Sequence, residues 1–140
     1  MSSTRLPGKA LMKINRKTCL ARVVNRIKAV NFLIPNTIDK IIVATTTDKC
    51  DNAIEKWCRK NNVGFYRGSR DDVLSRYYEC AKKYHADYIV RITADCPFLS
   101  PEIIAAFLNK RPRKLYDALP FNSGKSWDGT DCELFHFSIL

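Results

Sequence analysis

Four apolar residues, Leu20, Val23, Val24 and Ile27, recur at i, i+3, i+4 and i+7, which is one face of a helix, and Thr18 stands where a cap is needed. Residues 31–37, with Pro35, read as a connection. The run Ile41-Ile42-Val43-Ala44 has no polar alternation and predicts a strand over 38–45 covered on both faces, as in a parallel sheet. Thr45-Thr46-Thr47-Asp48 then supplies cap residues. A second helix is expected from about Asp48, with Ala53, Ile54, Trp57 and Cys58 inward and Asn61, Asn62 and Gly64 at its end. Residues 63–67 predict a short strand. Gly68-Ser69 turns into a third helix with Asp71 and Asp72 in its first turn and Val73, Leu74, Tyr77, Ala81 and Tyr84 as its inner stripe. Residues 87–93 are again nearly continuously apolar. Ser100 caps a fourth helix that opens on Pro101 and buries Ile103, Ile104, Phe107 and Leu108. Residues 132–137 alternate weakly and predict a last strand.

Strands separated by helices require right-handed crossovers, so the order predicts an α/β fold: a three-layer, Rossmann-like, mostly parallel sheet. No repeat, low-complexity tract or linker divides residues 1–140, which read as a single domain.

Charge changes this picture at one end. The net charge is +10, and residues 1–38 hold eight Lys or Arg and no acid, whereas the other 102 residues contribute only +2. For Arg16, Lys17, Arg22, Arg26 and Lys28 a solvated face and loose affinity for nucleic acid are both open readings. The basic residues are not interleaved with stacking aromatics and no nucleic-acid module is present, which argues against that partner. Six cysteines without a Cys-x-x-Cys pair, and only His85 and His136 to join them, argue against zinc and for buried free thiols in a reducing, cytoplasmic compartment. No apolar run approaches a membrane span.

Ligands of open α/β sheets lie beyond the carboxyl ends of the strands. Residues 45–48, 67–69 and 93–97 fall there. The opening stretch Met1-Ser2-Ser3-Thr4-Arg5-Leu6-Pro7-Gly8-Lys9 joins small hydroxyl residues, a Pro-Gly pair and two cations, the chemistry of a phosphate-holding loop. Asp95 follows an apolar strand directly and precedes Cys96-Pro97, so its carboxylate can point into the crevice and hold a hard cation such as Mg²⁺ beside phosphates; a turn-forming Asp bonded to its own backbone is the other reading. Arg91 fits an ion-paired structural role as well as a ligand contact. Asp128, Asp131 and Glu133 fit turn and strand-edge positions as well as contact with a polar substrate. Neither His sits in a nucleophile-elbow context, which leaves no case for covalent catalysis.

Together these motifs resemble the cytidylyltransferases that activate acidic sugars. The nearest match is the branch named for spore-coat polysaccharide biosynthesis protein F, related to the acylneuraminate and 3-deoxy-manno-octulosonate cytidylyltransferases. The resemblance runs through the opening loop, Ile41-Ile42-Val43-Ala44-Thr45, the stretch from Phe65 to Tyr78 (Phe65-Tyr66-Arg67-Gly68-Ser69-Arg70-Asp71-Asp72-Val73-Leu74-Ser75-Arg76-Tyr77-Tyr78), Val90-Arg91-Ile92-Thr93-Ala94-Asp95-Cys96-Pro97 and Asp128-Gly129-Thr130-Asp131-Cys132-Glu133.

The resemblance implies a nucleotide-diphospho-sugar transferase fold and transfer of CMP from CTP to a sugar acid, with Mg²⁺ as cofactor and release of pyrophosphate, in surface polysaccharide or glycoconjugate synthesis. It implies that Arg5 and Lys9 hold the triphosphate, with Ser2 and Ser3 lining the same loop. Arg67 and Ser69 would surround the cytosine, Asp95 would carry the metal, and Asp131 and Glu133 would face the sugar. Pairing as a homodimer is implied too. Family members begin with a buried strand ending in Gln-Ala-Arg before the opening loop and continue past residue 140 into a segment with a second metal-binding Asp. The resemblance therefore also implies a domain truncated at both ends, with its first strand missing. An inactive remnant that binds nucleotide or dimerises without turnover is the alternative expectation, and a basic nucleic-acid-binding protein the third.

Overall fold

The structure is a computed structural model that describes residues 6–109 and 132–140, and the backbone of Tyr116–Ala118. Arg5, Ser2, Ser3 and Asp131, all expected at the site, lie outside the described residues.

A two-residue hairpin, β1 (Lys13–Ile14) and β2 (Lys17–Thr18), precedes α1 (Cys19–Leu33). The Thr18 side chain caps α1 as its sequence position predicts, accepting from the Ala21 N–H at 3.1 Å. The next strand, β3 (Ile42–Thr46), is followed by a 3-10 turn over Lys49–Asp51 and then by α2 (Asn52–Lys60). The α-helix thus opens four residues later than expected, because the 3-10 turn intervenes. Further along come β4 (Gly64–Gly68), α3 (Val73–Tyr84), β5 (Tyr88–Ile92), α4 (Pro101–Asn109), β6 (Tyr116–Ala118) and β7 (Cys132–His136). Asp72 does not lie inside α3 but caps it, its Oδ1 accepting from the Ser75 N–H at 2.8 Å.

The expectation of a mostly parallel sheet holds for one ladder and not for the other. β3 and β4 pair in parallel, with Ile42 opposite Gly64 and Thr46 opposite Gly68. The second ladder has the order β5-β7-β6, and both of its pairings are antiparallel. β5 and β6 therefore run in the same direction, as the α4 crossover between them requires, and β7 fills the space between them running the other way. Its pattern explains the placement: Cys132, Leu134 and Phe135 are all buried, which suits a strand covered on both faces. The two ladders are not paired with each other among the described residues.

Three apolar clusters set the layers. Leu20 and Val24 of α1 meet Ile54 and Cys58 of α2 over Val43 and Phe65. Val30 packs with Leu99, Ile104 and Ala105, joining α1 to α4. Phe107 of α4 covers Cys132 and Leu134. These put α1, α2 and α4 on one face. The other face carries α3, which packs on β4 and β3 and sets Tyr77 edge-on to Phe135 at 6.5 Å between ring centres. Burial of a side chain such as Val30 or Ile104 contributes about 1.5–3 kcal/mol. The result is the three-layer α/β arrangement the sequence predicts, with the carboxyl ends of β3, β4 and β5 carrying the loops of interest.

Candidate active site

The N-terminal loop is shaped by its own backbone. Gly8 sits at φ 74°, a left-handed conformation that suits glycine, and Lys9–Leu11 form a 3-10 turn closed by the Leu11 N–H on the Gly8 carbonyl at 2.9 Å. Leu11 packs against the Leu20–Val24 cluster, and the Cys19 N–H donates to the Met12 carbonyl at 2.9 Å. The β1–β2 hairpin turns through Asn15 and Arg16, both at positive φ, and Arg22 of α1 clamps it: its guanidinium donates to the Ile14 carbonyl at 2.9 and 2.5 Å and to the Asn15 carbonyl at 3.1 Å.

α1 also anchors the loop after β5. The Cys19 thiol donates to the Ala94 carbonyl at 3.4 Å, and Arg26 donates to the Leu99 carbonyl at 3.0 Å. Burial, then the Asp95 charge, pushes the Cys19 thiol up, so it remains a donor. Thr93 Oγ1 lies 2.7 Å from Cys96 Sγ, and the Cys96 N–H donates to the Thr93 carbonyl at 3.3 Å. Two loops far apart in sequence are thereby held on one post. Arg22 and Arg26, open on sequence grounds to surface or nucleic-acid roles, are ties within the fold.

The consequence is a contact between two of the residues expected at the site. Lys9 Nζ is ion-paired and hydrogen-bonded to Asp95 Oδ2, with both side chains a little over a third exposed. The Lys9 ammonium, helped by the Thr93 hydroxyl, holds the Asp95 carboxyl below the usual carboxylate range, while its partial burial works in the opposite direction. Asp95 is thus an ionised, solvent-reachable carboxylate at the carboxyl end of a strand.

Arg67 and Ser69 occupy the neighbouring loops. Arg67 donates to the carbonyls of Thr46 (2.9 Å) and Asp48 (2.8 Å), to Asn52 Oδ1 (2.8 Å) and to Glu55 Oε2 (2.9 Å), so it knits the end of β4 to the loop after β3. Ser69 Oγ accepts from the Asp72 N–H at 3.0 Å, and its carbonyl accepts from Arg76 at 2.5 Å. Gly68 leaves room for this packing: a Cβ there would stand 2.9 Å from Arg76 Cγ and 3.0 Å from Tyr66 Cε1. Glu133, on β7, accepts from Arg91 of β5 at 2.5 Å. The structure therefore brings Lys9 to Asp95, sets Arg67 and Ser69 in the adjoining loops, and pairs Glu133 with Arg91.

Sequence reading missed Asp51. It is only 1% exposed, and its Oδ2 accepts from Thr45 Oγ1 (2.6 Å), the Thr46 N–H (3.0 Å) and Thr46 Oγ1 (2.7 Å), which fixes the loop after β3. Its signal was the Thr-Thr pair at a strand end followed within a turn by a carboxylate. A cleft of about 770 Å³ along the outer side of β4 touches Arg67 but neither Lys9 nor Asp95. There the Tyr84 hydroxyl donates to the Phe65 carbonyl at 3.1 Å and Arg59 lies 4.8 Å over the Phe65 ring, which shields that edge from strand addition.

No group of three or more His, Cys, Asp or Glu able to hold a metal occurs among the described residues. The Asp95 carboxylate nonetheless fits a hard cation that takes its other ligands from phosphates and water, and the charge already resting on it, the Lys9 ammonium, is positive.

Lys9 and Asp95 thus meet beyond the carboxyl end of a strand, where open α/β sheets bind their ligands. A sequence profile of the cytidylyltransferases matches residues 1–119, and the chain belongs to that family. It is 33% identical over 104 residues to the spore coat polysaccharide biosynthesis protein SpsF of Bacillus subtilis, covering 74% of this chain and 43% of that protein. It is 28% identical over 154 aligned positions to the 3-deoxy-manno-octulosonate cytidylyltransferase of Pelobacter propionicus, covering 98% of this chain and 56% of that one. A solved cytidylyltransferase structure from Leptospira borgpetersenii superposes with a TM-score of 0.84 at 33% identity, over 99% of this chain and 58% of that chain. The chain thus spans about half the length of these relatives.

Proposed function

We propose that this chain carries the nucleotide site of an enzyme that transfers CMP from CTP to a sugar acid and releases pyrophosphate, in the cytoplasmic synthesis of a surface polysaccharide or glycoconjugate. The observation that carries the reading is the convergence of Lys9 and Asp95 at the carboxyl ends of the strands in a chain of the cytidylyltransferase family. In this reaction a sugar hydroxyl oxygen forms a bond to the α-phosphorus, the bond from that phosphorus to the bridging oxygen of the β-phosphate breaks, and the hydroxyl proton passes to solvent. Little covalent chemistry is asked of the protein, so its residues position the reactants and balance charge.

In this reading Lys9, with Arg5 beside it in sequence, binds the triphosphate and stabilises the departing pyrophosphate, and Ser2 and Ser3 line the same loop. Arg67 and Ser69 frame the cytosine by shaping the loops around it. Asp95 holds Mg²⁺, which when bound supplies positive charge at the phosphate oxygens. Asp131 and Glu133 face the sugar, Glu133 through its pairing with Arg91. A homodimer is the proposed assembly.

The test is pyrophosphate release from CTP and Mg²⁺ with a panel of sugar acids that includes 3-deoxy-manno-octulosonate and N-acetylneuraminate. Release that depends on one acid and is lost in Asp95→Asn supports the enzyme. CTP binding without release from any acid assigns nucleotide binding alone to this chain. Absence of both overturns the reading.

A further inference from the structure

We infer that Lys9 makes the site selective for a divalent cation that arrives together with a triphosphate, by occupying Asp95 whenever nucleotide is absent. The inference rests on the nucleotide reading above and concerns how the site loads.

Two features of the pair support it. Its frame is fixed: the lysine-bearing loop is held by Leu11 in the core and by the Cys19 N–H on the Met12 carbonyl, and the Asp95 loop by the Cys19 thiol on Ala94 and by Arg26 on Leu99. Its charged ends are open: the side chains are 40% and 37% exposed, so they can exchange partners without backbone movement. Two other carboxylates of the fold are engaged differently. Asp51 is sealed under Thr45 and Thr46, and Glu133 is held by the guanidinium of Arg91. Asp95, beside the Thr93 hydroxyl, instead takes its positive partner from the end of a long, flexible, solvated chain.

An ammonium on Oδ2 repels a divalent ion from the same carboxylate. A triphosphate offers Lys9 a denser negative charge, and once Lys9 has moved to it the carboxylate is free for the ion. Each ligand therefore removes an obstacle to the other, and linkage requires the two effects to be equal. Free divalent ions bind weakly, metal-free nucleotide binds weakly, and the two together bind well.

The experiment uses the 140-residue chain and two probes. Mn²⁺ binding to the nucleotide-free protein is followed by electron paramagnetic resonance, and CTP binding in EDTA by calorimetry. Lys9→Met, with Lys9→Gln as a second variant, is expected to bind Mn²⁺ about tenfold more tightly than wild type, within the usual range of coupling between sites. Asp95→Asn is expected to bind metal-free CTP several-fold more tightly, as an order-of-magnitude expectation for freeing one charged donor. That gain should vanish in the Lys9→Met background. Circular dichroism checks that each variant is folded. Mn²⁺ affinity unchanged by both Lys9 variants overturns the inference, as does an Asp95→Asn gain that persists without Lys9, since it would then reflect simple repulsion between carboxylate and phosphate. If wild type binds no CTP with or without Mg²⁺, the nucleotide reading fails, while the Mn²⁺ comparison, which needs no nucleotide, still decides whether Lys9 guards Asp95.

Discussion

Arg91 on β5 and Glu133 on β7 stand directly opposite each other in the antiparallel ladder, and their side chains meet at 2.5 Å, Nη1 to Oε2. The Arg91 guanidinium also lies 5.9 Å over the ring of Tyr77, which in turn packs edge-on against Phe135. One cross-strand ion pair thus ties the three-stranded ladder to α3. Both side chains are about a third exposed, which screens the pair. A double-mutant cycle of Arg91→Met and Glu133→Gln in urea denaturation is expected to give a coupling of about 0.5–1 kcal/mol. Additive effects would show that the pair contributes nothing in solution.

Asp51 gives a pH-dependent prediction. Burial pushes its carboxyl up, but hydrogen bonds to it, those from Thr45 and Thr46 among them, more than reverse this and leave it well below the usual range. A carboxyl depressed in the folded state contributes stability above its unfolded pKa, near ~3.9, and loses it as pH falls further towards the folded value. Asp51→Ala is expected to cost about 2–3 kcal/mol at neutral pH, a buried acceptor of several hydrogen bonds being removed. The gap between variant and wild type should hold down to about pH 4 and narrow below it. Chemical denaturation across that range checks the prediction, and a gap independent of pH would contradict it.

The hairpin before α1 is strained at one position. Asn15 and Arg16 have φ of 46° and 68°, the left-handed pair of a two-residue turn in which glycine is favoured second. Arg16→Gly is expected to raise stability by about 1 kcal/mol, a gain of roughly 4 °C in melting temperature. Its side chain makes none of the contacts that hold Lys9, so CTP affinity should stay unchanged. A lower melting temperature would mean that Arg16 has a tertiary role.

These residues also show where sequence reading succeeds. The caps at Thr18 and Ser100 and the stripe of Leu20, Val23 and Val24 were legible because they are local: periodicity and capping need only neighbours in the chain. Lys9 was legible from the hydroxyl, Pro-Gly and basic residues of its loop, and Asp95 from its place directly after a strand, each as a separate candidate. Their meeting was not, since it depends on Cys19, Arg22 and Arg26 anchoring both loops to α1, and a helix surface arginine looks the same whether it faces water or a distant carbonyl. The β1–β2 hairpin was hidden by the lack of a turn glycine at Arg16. The antiparallel entry of β7 was hidden because a buried strand has the same apolar pattern in either direction.

Thiol reactivity separates the exposed cysteine from the buried ones. Cys50 is exposed, and the other five thiols are buried. Burial pushes Cys58 up to about 11 and Cys132 up to about 12, which suppresses their thiolates. Titration with a disulfide reagent at mildly alkaline pH is expected to consume one equivalent quickly, and the remainder only on unfolding. Cys50→Ser should abolish the fast phase. Rapid reaction of several thiols in the native state would contradict the packing of α1, α2 and β7.

The central claim is that Lys9 and Asp95 form a CTP-binding corner, and calorimetric titration of CTP in the presence of Mg²⁺ tests it most directly. Wild type is expected to bind with a measurable Kd, and Lys9→Ala and Asp95→Asn are each expected to weaken that binding about tenfold or more, the usual effect of losing a charged contact. Absence of CTP binding, or binding that neither substitution alters, would contradict the account.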